Sequence, residues 1–345
     1  MSLAQLFRSP ATPFGGWWRE ALGVWRQMPN RAALVTLLAA WVTLFHFLGN
    51  STLGYVHTPS LFGWWFWVYS RVGQAQDGSL DIVKILTVDE AYAWFVPFVV
   101  LALLWCKRAE LAALPKRVSW PALGVLVAAV MVHVLGFMVQ QTRISVAAFA
   151  LGVYGLTGLF WGGAWLRATL FPFSLLALCV PLGSAGEMIS FPLRQLSTRI
   201  TSMVCHVLLG INVIQDGTRL FDAGGSYQYE VAAACSGIRS LTAIVALGVI
   251  YGYVTYRSLW RRLALVLAAF PLAVVGNVFR LSLIILSAEA FGQRAGNYVH
   301  ENSWFSLAPY LPAIGGMLFL GWCLRDDREE RTTERGGLAG LEPKS

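Results

Sequence analysis

Charged side chains are scarce in this sequence. Of its 345 residues only 13% are Asp, Glu, Lys or Arg, against 57% hydrophobic. A soluble domain carries roughly 25% charged residues. So few charges exclude a water-facing surface for most of the chain, and the mean hydropathy of +0.59 agrees. Acidic residues are fewer than basic ones, 18 against 26, leaving a net charge of +8. That balance does not point to nucleic acid, because no basic–aromatic groove accompanies it. Lys and Arg gathered in cytoplasmic loops account for it better. The five cysteines (Cys106, Cys179, Cys205, Cys235 and Cys323) show no C-x-x-C spacing, and no His-x-x-His occurs beside them. Neither a metal nor a cofactor is therefore expected. There are no internal repeats. No cleavable signal peptide is expected, since the first apolar run begins only at Ala32, after a basic arm with Arg8, Arg19, Arg26 and Arg31.

What is abundant is apolar sequence in long runs. A bilayer core of about 30 Å needs roughly 20 mostly apolar residues in a helix. Eight segments qualify or nearly do: about Ala32–Leu48, Tyr92–Cys106, Pro121–Val139, Ile144–Leu166, Ala168–Gly183, Ser236–Tyr256, Leu263–Ala290 and Ser306–Leu324. The seventh carries Pro271 and Gly276, where a kink or break is expected. Charge tests the count. Eight spans starting inside put seventeen Lys/Arg in the cytoplasm and seven outside, with Arg239 and Arg280 inside spans. The bias recurs loop by loop, so both termini are expected in the cytoplasm. The fold class is all-α: a polytopic transmembrane bundle with an outer amphipathic helix and a small β-hairpin before the sixth span. Residues 1–31 read as a cytoplasmic basic arm, 32–324 as the transmembrane domain, and 325–345 as a charged, disordered cytoplasmic tail.

Two outer segments are more than connectors. Phe62-Gly-Trp-Trp-Phe-Trp-Val-Tyr69 suits the headgroup level. From Glu187 to Asn212 an apolar stripe of Ile189, Leu193, Leu196, Ile200, Met203, Val204 and Val207 alternates with Arg194, Thr198, Arg199, Ser202 and His206. That pattern predicts a helix in or near the outer interface. Thr218-Arg-Leu-Phe and Tyr227-Gln-Tyr-Glu-Val then read as a hairpin.

The candidate chemistry sits at the outer ends of the sixth and seventh spans and in the loop that follows. Cys235 stands at a helix start. A lone cysteine there is often only a small buried hydrophobe, but the helix dipole and Arg239, four residues on, would favour its thiolate. Ala234, Ser236 and Gly237 leave room for a substrate backbone to approach. A Cys205–Cys235 disulfide is the competing reading. Arg280 is the stronger anomaly, since an arginine inside a span costs about 2.5–3.5 kcal/mol unless it has a partner or a wet cavity. Asn277 shares its face and could orient it. A carboxylate partner such as Glu187, Glu230 or Glu289 would make Arg280 structural; otherwise it could stabilise an oxyanion or the thiolate. Arg280 lies about 15 Å below Ala290 on a straight helix, so either the helix ends early or the site is recessed. His300, in the loop Gly296-Asn-Tyr-Val-His-Glu301, is the preferred proton carrier. Glu301 could orient it, and His206 is a rival base.

These stretches resemble the exosortase/archaeosortase family of membrane-embedded cysteine transpeptidases. The resemblance covers roughly Phe191 to Gly321. It rests on Phe191-Pro-Leu-Arg, Ala234-Cys-Ser-Gly-Ile-Arg-Ser-Leu241, Asn277-Val-Phe-Arg280 and His300. Two positions depart from it: Ala233 stands where many relatives have an acid, and Glu301-Asn-Ser-Trp-Phe follows the histidine. The resemblance implies a catalytic part near 191–321, with Cys235 as nucleophile, Arg280 stabilising charge and His300 moving protons. The implied clients are exported proteins bearing a C-terminal sorting motif such as Pro-Glu-Pro, a transmembrane helix and a basic tail. The implied acceptor is linked to lipid or exopolysaccharide, and the implied setting is the bacterial inner membrane with the site facing the periplasm. Two other classes compete. A non-enzymatic transporter or scaffold for exopolysaccharide export would explain the spans, but it leaves Cys235 and Arg239 without a task. A sugar or lipid transferase would need an acidic cluster that the outer loops lack.

Overall fold

Long apolar runs bounded by Gly, Pro and charge become helices, and their small residues decide how closely those helices pack. The computed structural model describes residues 16–52, 55–70, 91–181, 184–230, 238–256, 258–301, 305 and 310–324. Among these, thirteen α-helices and one small sheet fall in two units, residues 1–185 and 186–345.

The first unit contains α1 (Gly16–Gln27), α2 (Arg31–Leu48), α3 (Leu61–Ser70), α4 (Val96–Cys106), α5 (Arg108–Ala113), α6 (Trp120–Met138), α7 (Thr142–Trp161) and α8 (Gly163–Ser174). Its core is aromatic: Trp41, Phe45, Trp64, Trp161 and Trp165 are buried together with Leu34, Leu111 and Leu156. Close approach depends on Gly152, because a Cβ there would overlap the Trp41 indole. Trp41 then donates its Nε1–H to the Phe149 carbonyl at 3.2 Å. The expected fourth span is cut shorter than Leu166. Gly162, at φ +96°, turns the chain after Trp161, and α8 begins at once. A left-handed backbone of this kind favours glycine.

The second unit contains α9 (Ser184–Leu209, starting at the boundary), β1 (Val213–Asp216), β2 (Arg219–Asp222), β3 (Gln228–Glu230), α10 (Ile238–Thr255), α11 (Leu259–Phe291), α12 (Gln293–Glu301) and α13 (Tyr310–Cys323). One cluster, made by Leu241, Ile244, Leu265, Ala269, Ala273, Ala313 and Met317, joins α10, α11 and α13. A second cluster joins the end of α9, the sheet, the last turns of α11 and α12 through Cys205, Leu220, Tyr227, Tyr229, Leu281, Ile284, Ile285, Ala288 and Val299.

Among the described residues, each of the eight expected segments contains a helix. By length and composition α2, α6, α7 and α11 can cross a membrane, while Tyr92–Cys106, Gly163–Cys179, Leu241–Thr255 and Tyr310–Cys323 are apolar but shorter. Three details differ from expectation. Helix α11 runs unbroken through Pro271 and Gly276 as 33 residues. The hairpin is a three-stranded antiparallel meander, with Asp216 opposite Arg219 and Leu220 opposite Tyr229. Its β1–β2 turn has Gly217 at φ +59°, the position where a tight hairpin demands glycine. Finally, His300 lies not in a loop but on α12.

Helix α9 forms where its stripe predicts, with its faces turned in a telling way. Leu196, Met203 and Val207 are exposed, whereas Arg194, Ser197, Thr198 and Thr201, spaced as one helical stripe, are buried. This one polar stripe looks inward, while Arg199 and His206 are exposed along with the apolar residues.

Candidate active site

Two turns bring Arg280 and His300 together. Arg280 lies eleven residues before the end of α11, roughly 16 Å at 1.5 Å per residue. Gly292, at φ +84°, lets the chain reverse directly after Phe291, and its N–H bonds the Ala288 carbonyl. Helix α12 then runs back along α11, with Gly296 and Val299 buried on the inner side. Its last turn reaches Arg280, whose Nη2 donates to the His300 carbonyl oxygen at 3.2 Å. The last four carbonyls of a helix have no intrahelical donor, and that end carries partial negative charge. A guanidinium there satisfies one of them and complements the dipole. Helix α11 therefore does not end early, and His300 comes back to the arginine.

One turn before Arg280, Asn277 is 3% exposed, and its Nδ2 finds no acceptor among the described residues. It lies on Arg280's side of α11, three residues before it. Thr201 on α9 likewise keeps a buried hydroxyl without a partner among the described residues. Such groups are uncommon in a folded interior and call for a water, an ion or a ligand.

The imidazole of His300 is held from the sheet. The Tyr229 ring stacks on it, with centroids 6.2 Å apart and planes at 26°. Tyr229 in turn donates its hydroxyl to the Gln293 carbonyl at 3.3 Å and stands beside Tyr227, centroids 5.9 Å apart. Burial raises the Tyr229 hydroxyl above its usual range, and burial together with the Glu289 carboxylate raises that of Tyr227 further. Neither tyrosine was singled out from the sequence. The signal was their two-residue spacing, which puts both on one face of a strand.

The other candidates divide clearly. Cys235 and Ser236 lie outside the described residues. So do the side chains of Arg239, Glu230, Glu187 and Glu301, although Arg239 belongs to the first turn of α10 and Glu301 closes α12. His206 is exposed, and its Nδ1 meets the Asn212 amide oxygen at 2.9 Å. Cys205 is a free thiol, fully buried. Burial raises its pKa, with the Ser282 hydroxyl acting weakly in the other direction. That is the setting of an inert, structural cysteine; the Cys235 half of the disulfide reading lies outside the described residues.

These observations define a class: a helical membrane protein whose second unit brings the His300 end of α12 against Arg280 of α11, one turn after the buried Asn277. Residues 86–310 match the family described as Transmembrane exosortase (Exosortase_EpsH), and the chain belongs to that family. It is accordingly a multi-pass membrane protein. No curated protein and no solved structure matches it.

Proposed function

We propose that this exosortase is a membrane cysteine transpeptidase that cuts C-terminal sorting signals of exported proteins at the outer face of a bacterial inner membrane, with both termini in the cytoplasm. The single observation that carries the reading is the Arg280–His300 contact, made by two residues twenty apart that the motif also names. Chain connectivity adds support. Helices α10 and α11 are joined by a short connection, and Gly248 and Gly252 lie against Leu265 and Arg262. Continuing that antiparallel register brings Ile238, the first residue of α10, level with about residue 276 of α11. Cys235 precedes Ile238 by three residues.

The chemistry follows from the residue types. The Cys235 thiolate attacks the carbonyl carbon of the client's scissile peptide bond, forming a C–S bond and a tetrahedral oxyanion. Arg280, together with the Asn277 Nδ2 donor, stabilises that charge. As the C–N bond breaks, His300 delivers a proton to the departing amine. Ser236 borders the nucleophile, Arg239 favours the thiolate, and Glu301 assists the histidine. A nucleophile on a lipid- or exopolysaccharide-linked acceptor then attacks the thioester and releases the thiol. A client anchored by its own transmembrane helix makes the encounter nearly intramolecular.

The test is coexpression with a client carrying a C-terminal motif, apolar helix and basic tail. Cys235→Ala is expected to insert normally and leave the client uncut. Full processing by that variant would refute the nucleophile and favour a transporter or scaffold.

A further inference from the structure

We infer that Tyr229 is a positioning residue for His300, setting the orientation of the imidazole by ring stacking, with its hydroxyl bond to the same helix a lesser aid. The inference rests on the transpeptidase reading for its kinetic consequence, but its geometry stands apart from it.

His300 sits near the open end of a nine-residue helix joined to α11 through a single glycine. Arg280 holds the backbone carbonyl there. A helix that short has little stability of its own, and an unrestrained imidazole would sample several rotamers. The Tyr229 ring restricts both freedoms. Stacked on the imidazole, it limits rotation about the histidine's side-chain torsions. Its hydroxyl bonds the Gln293 carbonyl in the first turn of α12, so one side chain touches both the beginning and the end of that helix. Gly296 makes the seat possible: a Cβ at that position would overlap the Tyr229 hydroxyl and press on Ala288. Tyr229 itself has little freedom. It is 6% exposed, paired across the sheet with the fully buried Leu220 and flanked by Tyr227. The small sheet thus acts on the site through one residue, and misplacing a catalytic group by about 1 Å can cost about 10²-fold in rate.

The bland alternative is that Tyr229 only fills the core. Three variants separate the two. Tyr229→Phe keeps the ring and the stack, and is expected to stay within about threefold of the parent in kcat. Tyr229→Leu keeps apolar bulk without a stacking ring. It is expected to lose at least about tenfold in kcat on a fluorogenic peptide spanning a client signal, with KM unchanged. Gly296→Ala pushes the Tyr229 ring itself off its seat, since the added Cβ also meets the ring carbon that bears the hydroxyl, and is expected to change in the same direction as Tyr229→Leu; it keeps the test alive if the leucine variant folds poorly. The second readout needs no substrate: the rate at which diethylpyrocarbonate modifies His300, followed by peptide mass spectrometry. It is expected to rise several-fold in Tyr229→Leu and Gly296→Ala, and to stay near the parent rate in Tyr229→Phe. An unchanged His300 modification rate in Tyr229→Leu and Gly296→Ala overturns the inference. So does a phenylalanine variant as impaired as the leucine one. Cys235→Ala, run alongside, judges the transpeptidase reading separately. If it stays active, that reading falls while the modification rates still decide the role of Tyr229.

Discussion

Two buried asparagines, one in each unit, have the same side chain and opposite surroundings. Asn50, 1% exposed, uses its amide fully. Its Nδ2 donates to the carbonyls of Val56 and Thr58 at 3.2 and 2.6 Å, and its Oδ1 accepts from Thr52 N–H, the Thr52 hydroxyl and the Thr142 hydroxyl. It stitches the loop after α2 to the start of α7. Nearby, His133 within α6 meets the Ser145 hydroxyl at 3.0 Å. Asn277, 3% exposed, leaves its Nδ2 without an acceptor among the described residues, one turn from Arg280. A buried polar group that is satisfied specifies a fold, and one left unsatisfied costs stability and so marks a place where something else must bind. Asn50 uses its amide to fix a loop to a helix, whereas Asn277 keeps a donor in reserve.

That contrast can be broken by substitution. The largest effect is expected from Arg280→Lys, since a point charge cannot reproduce the planar fork. Client processing should fall by about 10²-fold or more with insertion intact, and full activity would reduce Arg280 to a cap on α12. Next comes Asn277→Leu. Removing an unsatisfied donor should leave the thermal midpoint unchanged or raised, while client cleavage drops by roughly tenfold or more. A large loss of stability with undiminished cleavage in the folded fraction would erase the difference between the two asparagines. Asn50→Ala should behave oppositely. It strands two carbonyls and two hydroxyls, costs about 3 kcal/mol in a denaturation experiment, and leaves the kcat of the folded protein alone.

The smallest effect concerns alkali. The folded state raises the Tyr227 hydroxyl through burial and the Glu289 carboxylate, and that of Tyr229 through burial. A raised pKa means the contribution is complete below the unfolded value near 10 and is lost as pH climbs through the folded value. Thermal midpoints between about pH 8 and 11 should therefore decline above about pH 10, and less steeply in Tyr227→Phe. Parallel declines would remove Tyr227 from that account.

How much of this was legible beforehand differs between elements for physical reasons. The spans were, because a run of apolar residues long enough for a bilayer forms a helix in almost any context. The pairing of Arg280 with His300 was also legible in outline, since topology put both in the outer half. Helix α12 was not. Gln293-Arg-Ala-Gly-Asn-Tyr-Val-His-Glu301 is short, polar and interrupted by Gly296, so its helicity comes from packing on α11 and not from propensity. For the same reason Gly296 read as a loop signal when it is the seat of a tyrosine hydroxyl. Strand β1 was missed because Val213 to Asp216 is too brief to show alternation. The inward polar stripe of α9 was partly visible: its spacing was there, but which side turns inward is decided by neighbours far along the chain.

The central claim is that Cys235 shares an outward-facing site with Arg280 and His300. The direct measurement is the labelling rate of Cys235 by a membrane-impermeant thiol reagent applied from the outer side, read by peptide mass spectrometry in the parent and in Arg280→Gln. The expected result is rapid labelling that slows about tenfold in the variant, as one unit of thiol pKa would produce. No labelling from outside, or equal rates in both proteins, would contradict it.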